Sequence, residues 1–183
     1  MRPPVWHPPV ELSAAEQVII KRIRRAKLFV FLRERRHEIF ADAFQEELAR
    51  LYKDSSLGQP PVPPAQLALA TLLQAYTGVS DDEVIEATTM DRRWQLVLDC
   101  HDCTEPPFSK GTLVAFRKRL IAQDFDRRLI ERTVAVAETT AKPLNRLRCE
   151  RDLRHEHYRL FSLPEPFRDS LHVYFGLSTA RNA

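Results

Sequence analysis

The residues best placed to do chemistry in this sequence are cations. Lys110, Arg117, Lys118 and Arg119 fall in one helical pattern, interleaved with Leu113, Phe116 and Leu120. At about 100° per residue the three apolar residues share one side and Lys118 points away from them. Arg117 and Arg119 flank it, and Lys110 lies near Arg117. An apolar stripe holds such a helix to a core and leaves a basic surface outside. Phosphates are met by Arg and Lys, and groove edges by Arg, so the pattern fits a helix that touches DNA. It also fits a solvated charged face, the commoner occurrence for any one helix.

A second basic cluster is denser. Lys21, Arg22, Arg24, Arg25 and Lys27 are followed by Arg33, Arg35 and Arg36, with Val18, Ile19, Ile23 and Phe31 between them. Ser13 with Glu16 three residues on has the capping-box form, so the spacing predicts one long helix from there to about Arg36. Arg22, Arg25, Arg33 and Arg36 are the candidate phosphate contacts, because each neutralised phosphate adds counterion-release affinity. The alternative is an amphipathic helix whose long side chains snorkel over apolar surface.

Other groups carry less. Cys100-His101-Asp102-Cys103 has the spacing of half a zinc site, with Cys149, His155 and His157 further on. The second half lacks a Cys-x-x-Cys or a His pair at finger spacing. A small buried thiol at a helix end is the simpler reading of Cys100. No orienting carboxylate marks a Cys-His nucleophile. Asp81, Asp82 and Glu83 crowd a helix start, where acidic residues belong in any case. No metal, no cofactor and no catalytic residue is expected.

The elements that position these residues are helical. Leu69, Leu72, Leu73 and Tyr76 make one apolar face, opened by Pro63 and Pro64 and closed by Gly78. Ser80 and Glu83 form another capping box and start a second helix at about Asp81. Two helices joined through a three-residue turn with Gly read as helix-turn-helix-like, or as an ordinary helical hairpin. A short helix over Arg92 to Leu98 turns Trp94, Val97 and Leu98 inward, and Ser109 caps the basic helix. Phe40, Phe44, Leu48 and Leu51 give one more stripe, with Glu46 and Glu47 opposite. Asp124 or Asp126 starts a last helix to about Thr139, with Ile130, Val134 and Ala137 on one side.

Several of these stretches, taken in order, resemble the N-terminal domain of bacterial insertion-sequence DDE transposases. They are Leu28 to Arg33, Arg36 to Phe40, Gly58 to Pro64, Leu73 to Asp81, Arg93 to Gln95 with Val97 to Cys100, Pro106 to Ser109, Phe116 to Leu120 and Asp126 to Thr133. The resemblance covers about residues 13 to 140. It implies a helical module that helps bind the DNA ends of an element. In that family an RNase-H-like domain follows, with two Asp and a Glu that hold the divalent metal of two-metal chemistry. After about Thr140 no apolar strand followed by Asp-Ser or Asp-Gly stands where that domain would begin.

The bulk numbers agree with helices separated by hard stops: 183 residues, 44% hydrophobic, four Gly against thirteen Pro. A net charge of +3 permits nucleic-acid binding without arguing for it. Three cysteines, the absence of a secretory pattern and the lack of a run of about 18 apolar residues point to a cytoplasmic chain without a membrane span. The expected fold is all-α: a bundle of about six helices with a helix-turn-helix-like core. The expected division is an extended arm over 1–12, a helical segment over 13–54, the transposase-like domain over 55–140 and a divergent, weakly ordered tail over 141–183. A frameshift in a decaying element would produce such a tail.

The expected function is binding of element-end DNA by a non-catalytic transposase fragment. The alternatives are a self-association module that inhibits full-length transposase, and a small helical DNA-binding regulator.

Overall fold

A computed structural model of the chain describes residues 2–52, 61–101 and 103–140. The tail expected over 141–183, its frameshift origin and the first part of the 54–64 linker lie outside the described residues. What is described is helical throughout: eight α-helices and no strand. They are α1 (Ala14–Arg22), α2 (Lys27–Ile39), α3 (Asp42–Ala49), α4 (Pro64–Thr77), α5 (Asp81–Met90), α6 (Arg92–Leu98), α7 (Lys110–Ala122) and α8 (Phe125–Thr140).

Most helices start where the capping residues say they should. Ser13 and Ser80 each accept from the backbone N–H of the Glu three residues on, and that Glu accepts in return from the serine N–H, at 2.8 Å for Glu16 and 2.7 Å for Glu83. Ser109 caps α7 by accepting from Thr112 N–H. Asp91 caps α6 by accepting from Arg93 N–H. Pro64 occupies the first turn of α4. Gly78 ends that helix at φ 69°, ψ 18°, its N–H donating to the Gln74 carbonyl at 2.8 Å.

The helix α4 is the hub. It packs on α3, α5, α6 and α7, so every residue from Pro64 to Ala75 is buried. The single apolar face read from Leu69, Leu72, Leu73 and Tyr76 is thus part of a helix enclosed on all sides. Its polar residues are satisfied where they stand. Gln66 donates to the Leu98 carbonyl at 2.9 Å, Thr71 to Leu67 O at 2.8 Å. Around this hub each fully buried Leu or Phe contributes roughly 1.5–3 kcal/mol. Phe29 of α2 stands at the centre of an aromatic group, edge-on to Tyr76 at 6.1 Å and to Trp94 at 6.3 Å.

Two expectations change. The bundle has eight helices rather than about six, and the basic pattern from Ser13 to Arg36 is two of them. The chain leaves the helix at Ile23, where ψ is 102°, and restarts at Lys27. The reason is electrostatic and apolar together. Glu16 and Arg33 would stand about 25 Å apart on one continuous helix, and the break folds them into contact while Ile23 and Phe29 enter the core.

The proline-rich arm is extended but not loose. Trp6 N–H donates to Gln45 Oε1 at 2.8 Å, and Gln45 Nε2 donates back to Trp6 O at 2.9 Å. Downstream, α8 is held by arginines. Arg132 donates to the Ile39 and Glu38 carbonyls at the end of α2 and lies over the Phe44 ring, and Arg128 pairs with Glu47.

Candidate nucleic-acid interface

The basic helix α7 buries its expected stripe, Leu113, Phe116 and Leu120. It also buries Arg117, which is 6% exposed. The helix packs on α4, α5 and α8, so its buried sector is wider than the apolar stripe and takes in one flank. There Arg117 meets Asp81 and Gln74. Burial raises the Asp81 pKa, but hydrogen bonds from Arg117 and Gln74, with the Arg117 charge, bring it below the usual carboxylate range. Arg117 is therefore a tie between helices, not an outward contact. Lys110 is exposed and reaches Asp82 at 2.7 Å. Arg119 is exposed and lies over the Tyr52 ring at 4.6 Å. Lys118 is exposed and forms no ion pair among the described residues.

Arg33 and Arg36 are corrected in the same way. Each is 1% exposed. Arg33 holds Glu16 through Nε at 2.6 Å and Nη2 at 3.0 Å, and spends its remaining donors on the Val10 and Glu11 carbonyls of the arm. Burial would raise the Glu16 pKa, yet hydrogen bonds from Arg33 and Ser13, with the Arg33 charge, lower it to about 2. Arg36 closes the C-terminal end of α6, donating to the Leu96 and Val97 carbonyls and to Asp99, and its guanidinium covers the Trp6 ring at 5.3 Å. Burial and the Arg33 charge lower its pKa to about 10, against the pull of Asp99. Neither group is available to a phosphate.

A second set of exposed cations gathers in one place. Arg22 and Arg25 are exposed at the corner between α1 and α2, with Arg24 between them. Facing them across an open groove of about 570 Å³ are Arg92 and Arg93, at the start of α6. The rest of the lining is Ile19, Ile23, Ala26, Phe29, Tyr76 and Thr77, and no carboxylate lines the groove among the described residues. Arg22, Arg24, Arg25 and Arg92 form no ion pair among the described residues. Arg93 is held on Asp91, with Nη2 at 2.6 Å from Oδ2, and lies over the Phe29 ring at 5.2 Å. Five arginines converge there because the α1–α2 break turns its corner toward the end of α4. A groove lined by one sign of charge over apolar walls concentrates polyanions.

Sequence reasoning found Arg22 and Arg25 but placed them on a straight helix. It missed Arg92 and Arg93 as site residues. Their only local signal is an Arg pair at a helix start, which the macrodipole disfavours; their approach to Arg22, about 70 positions away, has none. The helix-turn-helix-like pair α4–α5 also reads differently in place. α4 is enclosed, and α5 carries Asp81, Asp82, Glu83 and Glu86 with no cation, so phosphates would be repelled from it.

The Cys100 thiol belongs to the core. Its Sγ–H donates to Thr88 O at 3.6 Å, and burial, with the charges of Cys103 and Asp99, pushes its pKa up to about 12. Among the described residues no three His, Cys, Asp or Glu side chains come together as metal ligands. Nor is any described helix long and apolar enough to cross a membrane.

No curated protein and no solved structure matches the chain. One family does, over residues 19–119, a span that runs from within α1 into the basic helix α7 and contains the described lining of the arginine groove. By that match the chain belongs to the family described as Transposase domain (DUF772).

Proposed function

We propose that the chain binds the terminal DNA of an insertion element through the arginine groove and leaves strand cleavage to other residues or subunits. The observation that carries this reading is the groove: five arginines on two separated segments, with no carboxylate among its described lining residues, in a transposase-family domain. Arg22, Arg24, Arg25 and Arg92 supply phosphate contacts, and exposed Lys118 on α7 adds to them. Three acidic side chains of the described region hold the fold, Glu16 on Arg33, Asp81 on Arg117 and Asp82 on Lys110. Two-metal chemistry needs a cluster of carboxylates to clamp ions, and binding is the role proposed here for the described residues.

A mobility-shift titration at two salt concentrations tests this, with the element's end sequence and with unrelated DNA. Log affinity should fall linearly with log salt, with a slope of about −0.9 per phosphate neutralised. Tighter binding of the end sequence at the higher salt would mark specific recognition. Absence of binding to either DNA at low salt would refute the proposal.

A further inference from the structure

We infer that the groove seats one unpaired nucleotide of a DNA strand, with its base against the Arg93 and Tyr76 lining and its flanking phosphates on Arg22, Arg25 and Arg92. This rests on the DNA-binding reading above and adds to it. A fully paired duplex lies against a basic face and needs no hollow. Here the cations surround one of about 570 Å³, within the range of roughly 300–1,000 Å³ typical of sites that enclose a small molecule.

The lining has the chemistry that reads unstacked bases. Such bases stack on aromatic rings and on guanidinium planes. Arg93 is prepared for this. Its guanidinium is fixed on both carboxylate oxygens of Asp91, laid over Phe29 at 5.2 Å, and its side chain is still 48% exposed. The floor cannot close by collapse, because Phe29 is itself braced by Tyr76 and Trp94. The cations without ion pairs then stand around the base on two sides, from the α1–α2 corner and from α6, where phosphates on either side of an everted nucleotide would pass.

The test uses the full chain and three probes: a paired duplex, the same duplex with one extra unpaired 2-aminopurine, and the free 2-aminopurine deoxynucleotide. Binding is read by anisotropy and stacking by quenching of the 2-aminopurine emission. The bulged duplex should bind about 10-fold more tightly than the paired one, with its emission quenched. Arg93→Lys keeps the charge and removes the plane. It should abolish the preference and the quenching, so that the bulged and the paired duplex bind alike.

Equal affinity for paired and bulged duplex would overturn the inference and leave the DNA-binding reading intact. So would free nucleotide binding as tightly as the bulged strand, or an Arg93→Lys chain that keeps its preference. Loss of all DNA binding in the wild-type chain would overturn both.

Discussion

Arg117 and Asp81 form a two-point ion pair, with Nη1 2.6 Å from Oδ1 and Nη2 donating to Oδ2 at 2.8 Å. Gln74 joins them, accepting from Arg117 and donating to Asp81 Oδ1 at 2.7 Å and to Val79 O at 3.2 Å. One guanidinium thus ties α7 to the end of α4, the Gly78 turn and the start of α5. This fixes the residue's use: a cation spent on three helices is not open to a phosphate.

Removing one partner should therefore unfold rather than disarm. Arg117→Ala leaves Asp81 with a half-buried, unpaired charge, and breaking such a pair costs about 3–5 kcal/mol. Asp81→Asn in the same chain should recover part of that loss. Urea unfolding of the four chains of the cycle measures the coupling. A cost for Arg117→Ala below about 1 kcal/mol would be that of a surface pair and would contradict this assignment.

The opposite behaviour is expected at the groove. Arg22→Ala, Arg25→Ala and Arg92→Ala should each weaken DNA binding and reduce the salt slope by about 1, with melting temperatures unchanged. Arg33→Ala and Arg36→Ala should lower the melting temperature sharply. Lys118→Glu separates the two surfaces. If it costs more affinity than the groove variants, α7 rather than the groove is the main contact.

Acid should weaken the tie between α1 and α2. Glu16 has a folded pKa near 2 against an ordinary value of 4.5. A depressed carboxylate pKa contributes stability that is present above about pH 4.5 and is lost as pH falls toward 2. The shift corresponds to roughly 3 kcal/mol. Glu16→Gln should lower stability at pH 7 and flatten its decline between pH 4.5 and 2, as followed by denaturant unfolding at each pH.

The two neighbouring thiols should part in reactivity. Cys103 is exposed and Cys100 is buried, and only a thiolate attacks an alkylating agent. Iodoacetamide at pH 8, followed by peptide mapping, should label Cys103 in the native chain and Cys100 only after unfolding. Zinc should leave the pattern unchanged. Native labelling of Cys100 would contradict its place in the core.

The reach of sequence reasoning here has a physical boundary. Caps are local, so Ser13, Pro64, Gly78, Ser80 and Ser109 mark helix ends without tertiary information. The apolar face of α7 is also local, and Leu113, Phe116 and Leu120 fall inside as their spacing requires. The fate of an arginine is not local. Arg117, Arg33 and Arg36 look like Arg22 and Arg25 in the chain. What distinguishes them is a carboxylate or a row of carbonyls brought up from another helix: Asp81 is 36 positions from Arg117, and the Leu96 carbonyl is 60 positions from Arg36. The groove is hidden for the same reason, and further because the break at Ile23 cannot be seen in a pattern that stays amphipathic through it.

The manner in which the arm is seated has one more consequence. Arg33, Arg36 and Gln45 hold it by main-chain groups at Trp6, Pro9, Val10 and Glu11. Side chains at Val10 and Glu11 point to solvent and take no part. An extended segment that keeps the prolines and Trp6, whose ring lies under the Arg36 guanidinium, should dock there, so a synthetic peptide scrambled at the other positions should still restore a chain cut after Leu12.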